Sequence, residues 1–589
     1  MLKKTLLVLA VAAAVLSGTA AFNQTSDVIV ERNVAMKTRD GVTLYADVYR
    51  PIGDQAVPVL LTRTPYDKTG GAGMGRMGAL RGYIVVVQDV RGRYTSEGEW
   101  YPFKHEMEDG YDTVEWAAAL PHSNGKVGMF SGSYVGATQM LAAIAHPPHL
   151  AGICPVVTAS NYHENWTYQG GAFEQWFNES WTSALAQDTA NRTIRDATNA
   201  RVGSSVLPLS QYPLFNLKQV GESEVTGKLA PYFLDWLAHP EYDSYWKQWS
   251  IEENYANIKV PALMIAAWYD IFQGGSIRNY EGIRAHGGSE DARTMTQLVV
   301  AIGGHSGWTQ QVGAVDFGSD AAFDELAITL DWYDYLFKGK QNKFANGKTV
   351  KIFVMGENKW RDEAVWPLER AQQTRYFLDS SGKANSAAGD GVLSTVTAGK
   401  AATDSYVYDP ANPVPTTGGP LCCDVVHLAP GPQDQQKVES RQDVLVYSTP
   451  PLDADTEVTG QVTLDLFAKS TAVDTDFTGK LVDVAPDGTA INLTEGILRA
   501  EYRESREAAA PIEPGKVYEY KIDLWSTSNV FLKGHRIRVE VSSSNFPRFD
   551  RNLNTGKNDA VSAESVKATN TVLHDSAHPS ALILPMAAR

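Results

Sequence analysis

The chain has 589 residues, which is too long for one hydrophobic core and favours about three domains. Hydrophobic residues make up 43% of it and charged residues 20%, which are the proportions of a folded globular protein. The net charge of −16 argues against nucleic acid or an anionic membrane surface as a partner, because both are themselves negatively charged.

The N-terminus has the pattern of a cleavable signal peptide. Lys3 and Lys4 precede an apolar run from Leu6 to Leu16, and Ser-Gly-Thr-Ala-Ala follows that run. The run is too short to span a bilayer, and the small residues after it suit a signal peptidase. We therefore expect residues 1–21 to be removed and the mature protein to be exported to the periplasm or outside the cell.

Strand and helix patterns alternate through the next hundred residues. Val34–Lys37 and Val42–Arg50 predict a hairpin, because apolar and polar residues alternate around an Arg-Asp-Gly turn. Val57–Thr62 and Tyr83–Gln88 are apolar runs typical of strands that are buried on both faces. Glu106–Leu120 has a helical pattern. This order predicts a parallel sheet with helices on its faces.

A glycine-rich stretch, residues 73–78, formally matches the dinucleotide-binding fingerprint. No strand ends directly before it, and Asp89 follows too early to contact a ribose. We therefore interpret it as a mobile glycine-rich loop.

A strand, a small-residue turn and a helix meet at residues 126–145. The apolar run Val127–Phe130 leads into SGSYVG, and a run of Ala, Leu, Met and Ile follows. This is the pattern of a nucleophile elbow with Ser133 at its apex, although such a serine is also a common helix N-cap. The match to G-x-S-x-G is imperfect, because Ser131 takes the first glycine position and Gly136 lies one residue late.

The composition and the predicted secondary structure of the chain change twice after the elbow. Residues 160–250 are helical and rich in tryptophan, which predicts a cap over the site or an ordinary helical core. The sheet pattern resumes at Val260–Ala267 and Thr296–Ile302, and Phe323–Phe337 is an amphipathic helix. Beyond Lys348, short alternating stretches between turn residues predict an all-β domain, a sandwich or jelly roll.

A nucleophilic serine in this sheet needs a later acid and a later histidine, each directly after a strand. Position eliminates all of the twelve histidines except His286 and His305, and His305 directly follows a predicted strand. Asp270 follows the preceding strand and would orient His305, or would cap a helix instead. We expect Ser133, His305 and Asp270 to lie within hydrogen-bond distance.

Two donors are expected to stabilise the oxyanion. One is the backbone N–H of Tyr134, which follows the nucleophile. The other is the hydroxyl of Tyr66, in the loop after the strand Val57–Thr62, although Tyr66 could equally be a packed aromatic residue.

The three cysteines cannot form a disulfide framework. Cys154 lies in an apolar stretch and is expected to be buried. Cys422 and Cys423 are adjacent, so they either pair with each other or remain thiols. No clustered histidine or second cysteine pair accompanies them, so neither a metal site nor a cofactor is predicted.

Several motifs in this order resemble the CocE/NonD hydrolases, the group that includes bacterial cocaine esterase. They are RTPYDK at 63–68, QDVRGRYTSEGEW at 88–100, GMFSGSYVGATQ at 128–139, WYD at 268–270, GGHS at 303–306 and, near the end, SSSNFPRFDRN. Relatives of this group are X-Pro dipeptidyl-peptidases, α-amino acid ester hydrolases and glutaryl-cephalosporin acylases.

The resemblance implies an α/β-hydrolase domain with an inserted helical cap, followed by an all-β jelly-roll domain. It divides the chain into hydrolase residues 22–159 and 251–347, cap residues 160–250 and jelly-roll residues 348–589. It implies that Ser133 is the nucleophile, Asp270 the acid, His305 the base, and Tyr66 and Tyr134 the oxyanion donors. Two positions depart from the pattern: Ser131 replaces a glycine, and Gly303 replaces a tryptophan two residues before the histidine.

The expected activity is that of a serine hydrolase acting on a small ester, an amide or a short peptide. The residues after Asp270 are IFQG, so no acid follows to bind a substrate ammonium group, although Glu164, Glu174 or Glu179 of the cap could do so. An X-Pro dipeptidyl-peptidase is the main alternative, and an inactive protein that binds carbohydrate or cell wall is a third. The sequence leaves the oligomeric state open, a homodimer included.

Overall fold

The structure is a computed structural model that describes residues 28–193, 224–397 and 402–588. The predicted signal peptide, residues 1–21, and residues 194–223 of the predicted cap lie outside the described residues. No helix within the described ranges is both long and apolar enough to cross a membrane.

A ten-stranded sheet forms the framework of the first domain. In spatial order its strands are β1 (Val28–Lys37), β2 (Thr43–Pro51), β4 (Ile84–Asp89), β3 (Val57–Thr64), β5 (Ser123–Gly132), β6 (Leu150–Val156), β9 (Leu263–Ala267), β10 (Gln297–Ala301), β13 (Val350–Val354) and β14 (Lys359–Glu363). Neighbours from β4 to β13 run parallel, and the strands at both ends are antiparallel. The parallel strands therefore end at one edge, where the loops carrying Tyr66, Ser133, Asp270 and His305 begin.

Helices cover both faces of this sheet, as the alternating pattern predicted. They are α1 (Ala72–Leu80), α2 (Glu106–Ala118), α3 (Tyr134–Ala145), and, beyond the cap, α8 (Gln273–His286), α9 (Glu290–Met295) and α10 (Glu325–Lys338). Two short hairpins complete this part of the chain: β7 (Tyr168–Gln169) with β8 (Ala172–Phe173), and β11 (Gln311–Val312) with β12 (Val315–Asp316). The central strands are buried along their whole length, which explains their continuous apolar sequence.

The prediction of a glycine-rich loop at residues 73–78 is wrong, because these residues form helix α1. A Cβ atom on Gly75 would lie 2.5 Å from the ring of Tyr49, and one on Gly78 would lie 2.5 Å from a methyl group of Val85. Glycine is therefore used here for close packing of the helix on the sheet. Sequence alone does not distinguish this use from flexibility.

The cap contains the helices α4 (Gln175–Thr193), α5 (Glu224–Leu229), α6 (Pro231–Ala238) and α7 (Ser244–Lys247). The tryptophans that marked this region are all at most 5% exposed; they are Trp166, Trp176, Trp181, Trp236, Trp246 and Trp249. Five of them pack in one cluster with aromatic residues of the sheet domain, whereas Trp176 packs with Leu421, Leu428 and Phe546 of the C-terminal part of the chain. The tryptophans are therefore core residues of this region, and its role as a cap over the site stays a prediction.

The C-terminal part of the chain is an all-β domain that also contains the short helix α11 (Gln436–Glu439). Its eleven strands are β15 (Ala371–Asp379), β16 (Val392–Ser394), β17 (Thr403–Tyr408), β18 (Leu445–Ser448), β19 (Thr456–Ser470), β20 (Asp476–Val484), β21 (Ala490–Arg499), β22 (Tyr518–Phe531), β23 (Arg536–Ser542), β24 (Ala568–Leu573) and β25 (Ala581–Ala587). Cys422 and Cys423 are joined by a disulfide in this domain, whereas Cys154 is free and buried in the sheet domain.

The boundary expected between residues 347 and 348 does not coincide with the end of the first sheet. Strands β13 and β14 follow that boundary, yet β13 pairs with β10 of the hydrolase sheet. A short alternating strand has the same sequence pattern in either sheet. The strand with which β13 pairs could therefore not be predicted from the local sequence. The sheet domain extends to Glu363.

The two domains pack together beside the segment that carries Asp270. A Cβ atom on Gly274, in α8, would lie 2.8 Å from the indole nitrogen of Trp525 in β22. The Tyr269 hydroxyl donates to the carbonyl of Asn492 at 2.8 Å. The all-β domain therefore fixes the loop after β9 from outside.

Two fully buried carboxyl groups lie at the start of helix α4: Glu174 directly precedes it and Glu179 lies in its second turn. Burial raises the pKa of Glu179 to about 8, against the opposing effect of a hydrogen bond from Gln175. Burial raises the pKa of Glu174 to about 8 as well, and Arg548 opposes that shift. Both groups are therefore mainly protonated at pH 7.

Alanine at two glycines of α1 should have opposite effects. Gly75→Ala should lower the free energy of unfolding by about 1–3 kcal/mol, because the methyl group meets the buried Tyr49 ring. Gly73→Ala, in the same helix but with open space around it, should raise it by about 0.5–1 kcal/mol. Denaturant unfolding measures both, and a stabilising Gly75→Ala would contradict the packing argument.

Glu179→Gln should stabilise the protein at pH 8 and change little at pH 4.5. The unfolded chain ionises this carboxyl group near its ordinary pKa, whereas the folded protein keeps it protonated up to about pH 8. Wild-type stability therefore falls as the pH rises across this window, by at most about 5 kcal/mol for this group. Thermal unfolding at both pH values measures the difference. The exposed control Glu369→Gln should show no such pH dependence, and an equal gain for Glu179→Gln at both pH values would refute the argument.

Candidate active site

Ser133 lies at the turn between β5 and α3 in a strained backbone conformation, with φ 62° and ψ −129°. Ser131, two residues earlier, also has a positive φ, of 97°. L-residues other than glycine adopt such angles at a cost of about 1–3 kcal/mol each. The strain directs the Ser133 hydroxyl away from the helix that follows, which is the geometry of a nucleophile elbow.

Hydrogen bonds from neighbouring strands stabilise this turn. The Ser133 N–H donates to the carbonyl of Val156 at 2.9 Å, and the hydroxyl of Thr158 donates to the Ser133 carbonyl at 3.0 Å. The Gln139 amide donates to the carbonyl of Ser131 at 2.8 Å. A Cβ atom on Gly136 would lie 2.7 Å from Thr158, so the late glycine lets α3 approach the β6 loop.

The structure brings Ser133, His305 and Asp270 into one hydrogen-bonded series. His305 Nε2 lies 2.8 Å from Ser133 Oγ, and His305 Nδ1 lies 2.7 Å from Asp270 Oδ1. Asp270 is fully buried, and its other oxygen accepts the N–H of Phe272 at 2.9 Å. An ionised Asp270 favours the tautomer with the proton on Nδ1, which leaves Nε2 free to accept the Ser133 proton.

Tyr66 places its hydroxyl beside the nucleophile. As a residue it is 39% exposed, but its hydroxyl is enclosed, and this burial raises the pKa of Tyr66. The hydrogen bonds that Tyr66 makes with the Trp181 indole at 2.9 Å, with Ser133 and with the backbone N–H of Tyr134 oppose the shift. The hydroxyl therefore remains protonated at neutral pH, and it and the Tyr134 N–H are adjacent donors for a developing oxyanion.

A buried ionic network anchors the Tyr134 side chain. Its hydroxyl donates to Glu106 at 3.0 Å and accepts the backbone N–H of Phe103 at 2.8 Å. Glu106 in turn accepts from the fully buried Arg63 at 2.6 Å. The side chain of Tyr134 thus fixes the residue whose backbone N–H points at the site.

Two more buried cations anchor the loop that carries Tyr66. Lys68 contacts Asp89 at 3.0 Å, at the end of strand β4. The Arg93 guanidinium donates to the carbonyl of Pro65 at 3.0 Å and to that of Leu185, in α4, at 2.9 Å. Arg93 therefore joins the Tyr66 loop directly to the cap helix.

Aromatic side chains line the site. Phe272 contacts the His305 ring edge-on, with centroids 5.2 Å apart, and stacks on Trp166 at 4.5 Å. Gly303, where the family pattern has tryptophan, is covered by Trp308, whose ring would lie 3.3 Å from a Cβ atom there. Another tryptophan of the same loop thus occupies the space beside Gly303.

Buried carboxyl groups of the cap lie near the aromatic lining. Glu174 interacts electrostatically with Asp270, and neither of its oxygens has a hydrogen-bond partner. Glu179 has one unpartnered oxygen, and Glu164 accepts the N–H of Gly170 at 3.2 Å. Burial raises the pKa of Glu164 too. An ammonium group could pair with Glu174, since its carboxyl is unpartnered.

No cluster of three or more histidine, cysteine or acidic side chains in the described ranges could bind a metal ion. The arrangement around Ser133 suits nucleophilic attack on a carbonyl group, with proton transfer to His305.

Sequence reasoning missed Gln139, Glu106, Arg93 and Trp181. Glu106 was read only as a helix start, and Trp181 only as part of the cap. Arg93 lies in the motif QDVRGRYTSEGEW. A charged side chain next to glycine is expected to be exposed to solvent, unless the group that it pairs with inside the protein is known. The one available signal was the close spacing of charged residues in motifs that flank buried strands.

The chain matches known families over most of its length. Residues 40–307 match the family described as X-Pro dipeptidyl-peptidase (S15 family), and residues 342–583 match the X-Pro dipeptidyl-peptidase C-terminal non-catalytic domain. Cocaine esterase of Rhodococcus sp. is 39% identical, across 95% of this chain and 99% of that protein.

Solved structures of similar fold include two that are more than 25% identical. An aminopeptidase from a marine-sediment Thaumarchaeota archaeon has a TM-score of 0.80 and 27% identity, over 95% of this chain and 97% of its own. An α-amino acid ester hydrolase has a TM-score of 0.81 and 26% identity, over 98% of this chain and 99% of its own. The chain therefore belongs to the cocaine esterase-like, CocE/NonD group of serine hydrolases of the S15 family.

Proposed function

We propose that this protein is an exported serine hydrolase that cleaves ester or amide bonds through a covalent acyl-enzyme. The observation that supports this most is the hydrogen-bonded series from Ser133 through His305 to Asp270, with two donors beside the serine oxygen. The signal-peptide pattern of residues 1–21 supports export.

The proposed reaction begins with attack of Ser133 Oγ on the substrate carbonyl carbon. His305 Nε2 accepts the hydroxyl proton, while Asp270 stabilises the resulting imidazolium. The carbonyl oxygen becomes an oxyanion that accepts from the Tyr66 hydroxyl and the Tyr134 N–H. His305 then protonates the leaving alcohol or amine, and a water molecule activated by His305 hydrolyses the acyl-enzyme.

The proposed substrate is a small ester or amide with an apolar, preferably aromatic, acyl group. The stacked rings of Trp166 and Phe272 beside His305 support this choice, because flat apolar groups pack well on aromatic faces. The similarity to cocaine esterase, over nearly the whole of both chains, supports an ester.

We further propose that the C-terminal domain has a jelly-roll arrangement and serves the catalytic domain without a ligand of its own. Its contacts with the segment around Asp270 support this role. Neither nucleic acid nor a membrane surface is proposed as a partner, because the chain carries a net charge of −16.

Ser133→Ala should lower kcat for an aryl ester by about 10⁴-fold or more, because it removes the nucleophile. Labelling by a fluorophosphonate probe should be lost as well. The control Ser131→Gly should keep both labelling and turnover, because glycine adopts the positive φ of that position freely. Full turnover by Ser133→Ala would refute the proposal, and failure of the wild-type protein to react with the probe would favour the inactive binding protein.

An X-Pro dipeptidyl-peptidase is the second candidate, and the unpartnered, buried carboxyl group of Glu174 is the observation that favours it. A peptidase of this type binds a free substrate ammonium group, which Glu174 could pair with. Turnover of Ala-Pro-arylamide should then exceed that of its N-blocked form, and Glu174→Gln should reduce this preference. Equal turnover of both forms, with faster cleavage of simple aryl esters, would exclude the peptidase.

A further inference from the structure

We propose that Trp181 is a positioning residue that directs the hydroxyl proton of Tyr66 toward the reacting oxygen. The inference rests on the proposed function, since it concerns the oxyanion donor of that reaction. It assigns the cap a part in catalysis beyond lining the substrate pocket.

The Tyr66 hydroxyl can take part in a limited number of hydrogen bonds. A phenol has one proton to donate and two lone pairs to accept with, whereas an indole N–H can only donate. Trp181 Nε1 lies 2.9 Å from the Tyr66 oxygen, so Trp181 must be the donor in this contact. The backbone N–H of Tyr134 donates to the same oxygen.

These two donors leave Tyr66 one remaining direction for its own proton, toward Ser133. Ser133 has a single proton, and His305 Nε2 accepts it at 2.8 Å. The Tyr66 hydroxyl contacts Ser133, and this count of protons makes Tyr66 the donor in that contact. The hydroxyl proton thus points to the serine oxygen, beside which the attacked carbonyl oxygen will develop charge.

The arrival of substrate makes Trp181 the donor that remains on Tyr66. The oxyanion then competes with the Tyr66 oxygen for the Tyr134 N–H. Among the described residues, the Trp181 N–H donates to the Tyr66 oxygen alone, so it keeps the phenol orientation through the reaction. Its N–H also polarises the Tyr66 O–H bond, which strengthens donation to an anion.

Contacts with neighbouring residues fix the position of Trp181 relative to Tyr66. The Trp181 ring is 3% exposed and packs between Trp166 and Trp236, with centroids 5.6 and 6.1 Å away. Arg93 donates to the carbonyl next to Tyr66 and to that of Leu185, one helical turn beyond Trp181. Donor and acceptor are thus tied together on both sides of their hydrogen bond.

Trp181→Phe tests this proposal, because it removes the indole N–H and keeps an aromatic ring. Tyr66→Phe should lower kcat by about 10²–10³-fold, as loss of an oxyanion donor does. Trp181→Phe should lower kcat by about tenfold for both an acetate and a benzoate ester of the same phenol. In the Tyr66→Phe background it should have almost no further effect, because the two residues act as one unit.

The control is Trp332→Phe, which makes the same change at a fully buried indole of α10 whose N–H has no hydrogen-bond partner and whose ring packs with Tyr335 and Phe344. It should leave kcat within about twofold of wild type, so a tenfold loss there would mean that replacing any buried indole lowers kcat. Thermal unfolding of each variant checks folding.

Three further outcomes would overturn the inference. They are wild-type kcat in Trp181→Phe, a loss confined to the benzoate ester, which indicates pocket lining, and additive losses in the double variant. Failure of the proposed function is recognised separately, by turnover that survives Ser133→Ala.

Discussion

The backbone of Ser133, in a conformation that L-residues avoid, is the constraint on which the site depends. This strained conformation persists because three hydrogen bonds hold the turn. The Val156 carbonyl accepts the Ser133 N–H, the Thr158 hydroxyl donates to the Ser133 carbonyl, and the Gln139 amide donates to the Ser131 carbonyl. All three partners lie on β6, its following loop or α3. Packing of the sheet thus stabilises the geometry from which the serine is proposed to react.

Buried cations are the second means by which this protein fixes its site. Arg63, Lys68 and Arg93 are each almost fully buried, and each is paired with a carboxylate or a backbone carbonyl next to a proposed catalytic group. Burying an ion costs several kcal/mol, which only good geometry offsets. Such networks are a poor means of gaining stability but a precise means of orienting loops, and the family motifs RTPYDK and QDVRGRYTSEGEW supply these residues.

The order of elements and the residues at strand ends were predictable because local patterns encode them. The apolar runs at Val57–Thr62 and Tyr83–Gln88 match buried strands, and His305 and Asp270 could be chosen by their places after strands. The helix at Gly73–Gly78 could not be predicted, since the reason for its glycines is a contact with Tyr49 and Val85 in other strands. The bond from Trp181 to Tyr66 joins residues 115 positions apart, and nothing local specifies it.

The first sheet continues past the expected domain boundary at residues 347 and 348. This determines where the protein can be cut into two modules. A cut after residue 347 would remove β13 and β14 and leave β10 as an open edge, with its backbone N–H and C=O groups unpaired. Exposed apolar edges of this type recruit other chains and aggregate. A truncation that is meant to separate the two modules should therefore fall after Glu363, where the hydrolase sheet keeps its own antiparallel border strand.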